Sequence, residues 1–306
     1  MISRLPLVLL CTLTLLGCKM KTDLPRYEEI APFDPHRPSF TCEIEATKVP
    51  PIDAQADAWF QEARALEDPE IWDDDRDYKK IVQLTKQAAD RRHWKAMLNL
   101  ASLYIEGRDP PHGVEDGVRI VEDAMRLGIP AAYDRMGTFH LNGTGVSGGW
   151  PRAYAFFQKA ADLGSPDAMA YLGKKMTATW DNPKEDFWAN LPVALKMLEC
   201  GFSQGSGMAA LELALVYSRG GTTREQRTRA LKLLHEGVKL GCGPCAARLS
   251  GEFSDPINPA EMLAPHLDTA RADRYVELAS ALRFNPARRF PNLDKVLPLP
   301  PAPLPP

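Results

Sequence analysis

Cys242-Gly243-Pro244-Cys245 is the stretch of this 306-residue chain whose types and spacing suit redox chemistry. Two thiols three residues apart at a helix start can close a disulfide, and the helix N-terminus lowers the pKa of the attacking thiol. Such a motif works when a strand runs into its first Cys. The stretch before it here is RTRALKLLHEGVKLG, Arg227 to Gly241, with Leu231, Leu234 and Val238 at helical spacing. A thiol oxidoreductase is therefore disfavoured, and structural bridging is the expectation. Cys42, Cys200, Cys242 and Cys245 are the disulfide candidates. Their pairing stays open, since four cysteines allow three full pairings. A link from Cys200 to Cys242 or Cys245 competes with the bridge inside the tetrapeptide.

No other catalytic set emerges. The histidines at 36, 93, 112, 140, 235 and 266 fall in no metal or catalytic spacing, and HExxH, GxSxG and a Gly-Lys-Ser/Thr phosphate loop are lacking. Asp73 to Asp77, DDDRD, lacks the Gly and Glu of an EF-hand loop and reads as a solvated helix start. Asn142 to Gly149, NGTGVSGG, is Gly-rich but leaves a helix rather than a strand, which makes it a poor phosphate cradle. The expectation is a chain that is not an enzyme and needs no metal or cofactor.

The elements that would position a site come from a repeat. A small residue, an apolar one four later and a second small one recur at Ala96/Leu100/Ala101, Ala132/Met136/Gly137, Ala168/Leu172/Gly173, Ala209/Leu213/Ala214 and Cys245/Leu249/Ser250, at intervals of 36, 36, 41 and 36. Three further on stands Tyr104, His140, Met176, Tyr217 or Phe253, so packing is the expected role of His140. Second helices lie between these segments, each ending on Gly128, Gly164, Gly201 or Gly241 as a left-handed C′ residue would. Small residues at fixed offsets let two helices approach closely, so the expected fold is all-α, a solenoid of stacked helix pairs. Cys245 then occupies the small-residue position of the fifth pair. The helices before Trp94 would cap the stack.

The pattern A-x3-L-[GA]-x2-Y-x2-G at Ala96 to Gly107, with KAADLGSPDAMAYLG at Lys159 to Gly173, resembles Sel1-like repeats, relatives of tetratricopeptide repeats. The resemblance covers about Ile81 to Phe253. It implies a right-handed α-solenoid whose first helices line a concave, protein-binding surface. On those helices Arg135, Lys174, Glu212 and Arg248 are expected to face the groove or solvent. The loops between first and second helices lie on one edge, and the longest carries Trp180, Phe187 and Trp188. These aromatics are candidate partner anchors, with sealing of the loop against the stack as the alternative.

The termini carry an address. Arg4 and the apolar run Leu5 to Leu16, too short to span a bilayer, lead into Leu15-Leu16-Gly17-Cys18. This resembles a bacterial lipobox, which implies cleavage before Cys18 and its acylation. Lys19 after it points to the outer membrane by the best-known sorting rule. The mature chain is expected in the periplasm. Residues 1–17 remove Arg4 alone, leaving 36 basic against 40 acidic residues, so a nucleic-acid partner is not expected. The expected organisation is signal peptide 1–17, tether 18–52, solenoid 53–253, and a C-terminal helix with a Pro-rich tail over 254–306. Prolines at 298, 300, 301, 303, 305 and 306 impose polyproline II, while Phe290, Leu293 and Leu297 should pack the tail along the solenoid.

Lipobox, Sel1-like repeats and tail together resemble lipoproteins that serve as immunity proteins for type VI secretion phospholipase effectors. The resemblance implies a protein toxin as partner, inhibited sterically, with membrane contact through the lipid. The alternative is an envelope scaffold or adaptor that binds secretion or cell-wall machinery.

Overall fold

The structure is a computed structural model, described over residues 24–177, 188–219, 221–255 and 262–305. The signal peptide, Cys18, Trp180 and Phe187 lie outside the described residues.

Each first helix begins at the same place in the repeat, and the reason is local. The residue three before the repeat's small residue is the N-cap. His93 Nδ1 accepts from Ala96 N at 3.1 Å, Ser165 Oγ from Ala168 N at 3.3 Å and Ser206 Oγ from Ala209 N at 3.3 Å. Each such cap contributes about 1 kcal/mol by satisfying an orphan helix donor. In the fifth pair Cys242 holds the cap position and its sulfur accepts from Cys245 N at 3.1 Å. The residue before each cap is left-handed: Arg92 (φ 61°), Gly128 (76°), Gly164 (114°), Gly205 (91°) and Gly241 (88°).

These signals build α1 (Ala54–Leu66), α2 (Tyr78–Asp90), α3 (Trp94–Ile105), α4 (Val114–Arg126), α5 (Pro130–Asn142) and α6 (Trp150–Leu163). They continue through α7 (Pro166–Thr177), α8 (Leu191–Ser203), α9 (Gly207–Tyr217), α10 (Arg224–Lys239), α11 (Gly243–Ser254), α12 (Thr269–Phe284) and the short α13 (Leu293–Val296). Odd and even helices pair in order from α1/α2 to α11/α12, and no strand occurs among the described residues. First helices of successive pairs meet, α5 with α7, α7 with α9 and α9 with α11, which places them on the inner side of an α-solenoid. Between the layers Ile81, Ile129, Met136, Leu172, Met197 and Phe253 are fully buried. Truncating one such side chain to Ala would cost about 2–5 kcal/mol.

Three expectations are corrected. Gly201 is not a helix stop: α8 runs through it to Ser203, and Gly205 takes the left-handed place. Gly201 instead permits a close approach, because a Cβ there would lie 3.0 Å from Pro166 O. The expected separate C-terminal helix, Thr269–Phe284, does not leave the solenoid, since it is α12, the second helix of the fifth repeat. Most of 18–52 is not a free tether either. From Arg26 onward it lies across the second helices as a strap. Arg37 pairs with Asp162 at 2.7 Å, Asn190 Nδ2 donates to Pro35 O and Arg37 O, and Phe40 is buried.

Candidate functional site

Two straps and one open face define the surface. The N-terminal strap (24–52) is seated by Arg26, a buried guanidinium held by two carboxylates of α4. Its Nε and Nη2 donate to Glu122 at 2.7 and 2.8 Å, and its Nη1 and Nη2 donate to Glu115 at 2.8 and 2.9 Å. Arg26 O in turn accepts a hydrogen bond from His140 Nε2 at 2.9 Å. His140 is fully buried and stacks on Phe156 at 5.1 Å, so burial lowers its pKa and it serves the fold. Further along, Cys42 is bonded to Cys200 of α8. The C-terminal strap (286–305) covers α10 and α12. There Leu293 and Leu297 are buried, and Asp294 accepts from His235 Nε2 at 2.9 Å and from Lys239 Nζ at 2.7 Å. Tyr275 Oη lies 2.7 Å from the other nitrogen of His235.

Both straps run mainly over second helices and reach the first helices only near their N-termini, through Glu45 and Arg289, so most of the stripe of part-exposed residues along α3, α5, α7 and α11 stays bare. Arg135 is one of them and donates to Ser102 Oγ at 2.9 Å. Lys174 is exposed and lies 3.3 Å from Glu212. Arg248, half-buried, pairs with Glu252 at 2.8 Å, and Glu252 accepts from Leu263 N as well. Glu212 departs from expectation: it is buried, its pKa is raised by that burial, and it steadies Lys174 rather than facing a partner.

Near the α3, α5 and α7 N-termini this face deepens into a cleft of about 360 Å³, lined by Trp94, Lys95, Asp134, Arg135 and Asp167 together with Glu45 from the strap. Burial pushes the carboxyls of Glu45 and Asp134 up to about 7, and the negative charge of Asp167 pushes both further the same way. The arrangement presents charges held by neighbours and an aromatic wall. It offers hydrogen bonds and ion pairs to a complementary surface, with no activated nucleophile beside a base. Among the described residues no group of three or more His, Cys, Asp or Glu is placed to hold a metal ion.

The remaining predicted residues separate. Trp188 is buried, with its ring 5.2 Å from Phe33 and 4.8 Å from Tyr154, so it seals strap to stack and is no partner anchor. Cys242 is bonded to Cys245, and Cys200 to Cys42 rather than to either of them. Both cysteines of the tetrapeptide are buried in a repeat junction. Sequence reasoning missed the strap, although Phe33, Phe40 and Cys42 in an otherwise polar stretch were its signal. It also missed Gly205, which the repeat interval back from Gly241 would have found.

Neither a protein-family model nor a curated protein matches the chain. Solved structures do. Immunity protein Pa5087 from Pseudomonas aeruginosa is 31% identical, with a TM-score of 0.65, over 86% of this chain and 96% of that one. Immunity protein PA5088 from the same organism is 29% identical, with a TM-score of 0.68, over 87% and 95%. A Sel1 repeat protein from Oxalobacter formigenes shares the fold at 20% identity and a TM-score of 0.53, over 74% of this chain and 87% of that one. A helical repeat stack aligned almost end to end with such proteins, at up to 31% identity, places this chain in the family of Sel1-repeat immunity proteins.

Proposed function

We propose that this chain is a lipid-anchored periplasmic immunity protein that binds a type VI secretion phospholipase effector of the phospholipase D-like class and blocks it by occlusion. The observation that carries the binding mode is the placement of the straps: both run mainly over second helices, and the inner face, with its cleft bordered by Glu45, is left open to a partner. The lipobox-like Leu15 to Cys18 supports the anchor, and Lys19 supports the outer membrane. A protein that inhibits by covering its target needs a pre-organised surface, and residues fixed as Arg135 and Arg248 are lose little freedom on binding. An interface of ordinary size, about 1,600 Å² in total, fits on one face of such a stack.

The test is coexpression with a periplasm-directed phospholipase toxin. The wild-type chain should rescue growth and bind the toxin stoichiometrically. Lys95→Glu with Arg135→Glu, both on the open face, should weaken binding about 10–100-fold while the fold survives. A chain that binds no such toxin would end the proposal. Cys18→Ala separately should release the protein from the outer-membrane fraction.

A further inference from the structure

We infer that the edge of the solenoid where the N-terminal strap enters is a membrane-docking surface, apposed to the lipid headgroups beside the anchor. The inference rests on the lipoprotein reading above and adds to it an orientation. It begins with length. Between Cys18 and Leu24 lie six residue steps, at most about 20 Å of extended chain. From Arg26 there is no slack, because that guanidinium is buried against Glu122 and Glu115. A bilayer that holds Cys18 is therefore within reach of the loops around Arg26.

Among the glycines and polar residues of those loops stand exposed apolar side chains. Leu24, Tyr27, Val114, Leu141, Trp150 and Leu191 are all more than a third exposed, and Trp150 is 52% exposed. Contacts tie them into one region. Arg26 Nη1 reaches Gly145 O, and Gly145 packs against Val114. Gly149 N donates to His140 O, which joins the end of α5 at Leu141 to the start of α6 at Trp150. Arg152 lies over the Tyr27 ring at 5.9 Å, and the Trp150 ring is 6.0 Å from Trp188, just ahead of Leu191. Exposed Trp, Tyr and Leu beside a basic side chain is the composition that sits at a headgroup boundary. A toxin interface is the competing occupant, but this edge is the one the chain must turn toward the membrane, whereas the inner face is free for protein.

The test uses the full-length lipidated protein in vesicles of phosphatidylethanolamine and phosphatidylglycerol, with or without brominated acyl chains. Bromolipid should lower tryptophan emission by about a quarter, and Trp150→Phe should cut that loss about twofold or more. Leu141→Glu, at an exposed position where folding is not at stake, should reduce it as well. If the protein is acylated by mass spectrometry and floats with vesicles, yet bromolipid leaves its emission unchanged, the docking surface is refuted and the lipoprotein reading stands. Emission loss untouched by Trp150→Phe and Leu141→Glu also refutes it. If Leu141→Glu abolishes toxin binding and leaves the lipid quenching intact, the edge belongs to the toxin instead. A protein neither acylated nor vesicle-bound overturns the lipoprotein reading, and docking with it.

Discussion

The N-terminal and C-terminal straps both lie back across second helices, and they are held by different chemistry. Residues 24–52 reach partners 89 to 161 positions away: Arg26 to Glu115 and Glu122, Cys42 to Cys200, Glu43 O to Gln204. Residues 286–305 reach partners mostly 22 to 59 positions away, such as Arg274 to Val296 O and His235 to Asp294. Loop closure grows with the logarithm of length, so the N-terminal strap costs about 1 kcal/mol more to close. It carries the buried ion cluster and the long-range disulfide. The C-terminal strap is held by Leu293, Leu297 and side-chain bonds to its backbone carbonyls. The disulfide and the buried ion cluster thus belong to the N-terminal strap, while the ion pairs of the C-terminal strap, Lys239 with Asp294 and Arg288 with Glu70, involve exposed carboxylates.

The comparison breaks first at the disulfides. Cys42→Ser with Cys200→Ser opens a link across 158 positions and should cost about 4 kcal/mol in urea unfolding, whereas Cys242→Ser with Cys245→Ser, across 3, should cost under about 2. Equal losses would show that chain entropy does not govern them. Next, Arg26→Ala leaves Glu122 buried without its cation and should cost about 3 kcal/mol by the same measurement. A loss below about 1 kcal/mol would mean that the strap is seated by its other contacts.

The far end of the N-terminal strap should behave oppositely, since Glu45 and Asp134 line one cleft there and burial disfavours the charged form of each. Asp134 has its folded pKa raised from 3.8 to about 7, so the folded state binds more protons between those values. Its contribution is present below pH 3.8 and is lost as pH rises through 7. Asp134→Asn should therefore stabilise by about 1–2 kcal/mol at pH 8, the carboxyl being only half-buried, and change little at pH 4. Melting curves of the variant and the parent at both pH values decide this. The smallest effect belongs to the C-terminal strap. Asp294→Ala removes the acceptor of His235 Nε2, which is buried, but Asp294 itself is largely exposed. A loss of about 1 kcal/mol is expected, with faster hydrogen exchange confined to residues near 290–297.

The helical stack was legible because its signal is local and repeated. Ala96, Ala132, Ala168, Ala209 and Cys245 mark first helices through close packing, and that demand writes itself into a small residue at an interval of 36, lengthened once to 41. Gly201 misled because it stands four before Gly205, and either glycine can end a helix on paper. Which one does is decided by Pro166 and Ala209 packing against Gly201 from other helices. The inner-face residues were half legible. Arg135, Lys174 and Arg248 lie where the repeat phase puts them, while Glu212, at an equivalent phase, is buried against Lys174. Trp188 shows the same limit, since an aromatic in a long loop reads alike whether it meets a partner or Phe33.

By itself the sequence determined the repeat, its interval, and the small-residue position that makes Cys242 to Cys245 a repeat junction. Those depend on neighbours within about one helical turn or on a periodicity that any repeat stack must show. Only the tertiary structure decided that residues 24–52 are a strap, that Cys42 pairs with Cys200, and that α12 completes the last pair. It also decided which face stays open. Such outcomes rest on single contacts between residues up to 161 positions apart, and no periodicity records them, because each contact occurs once.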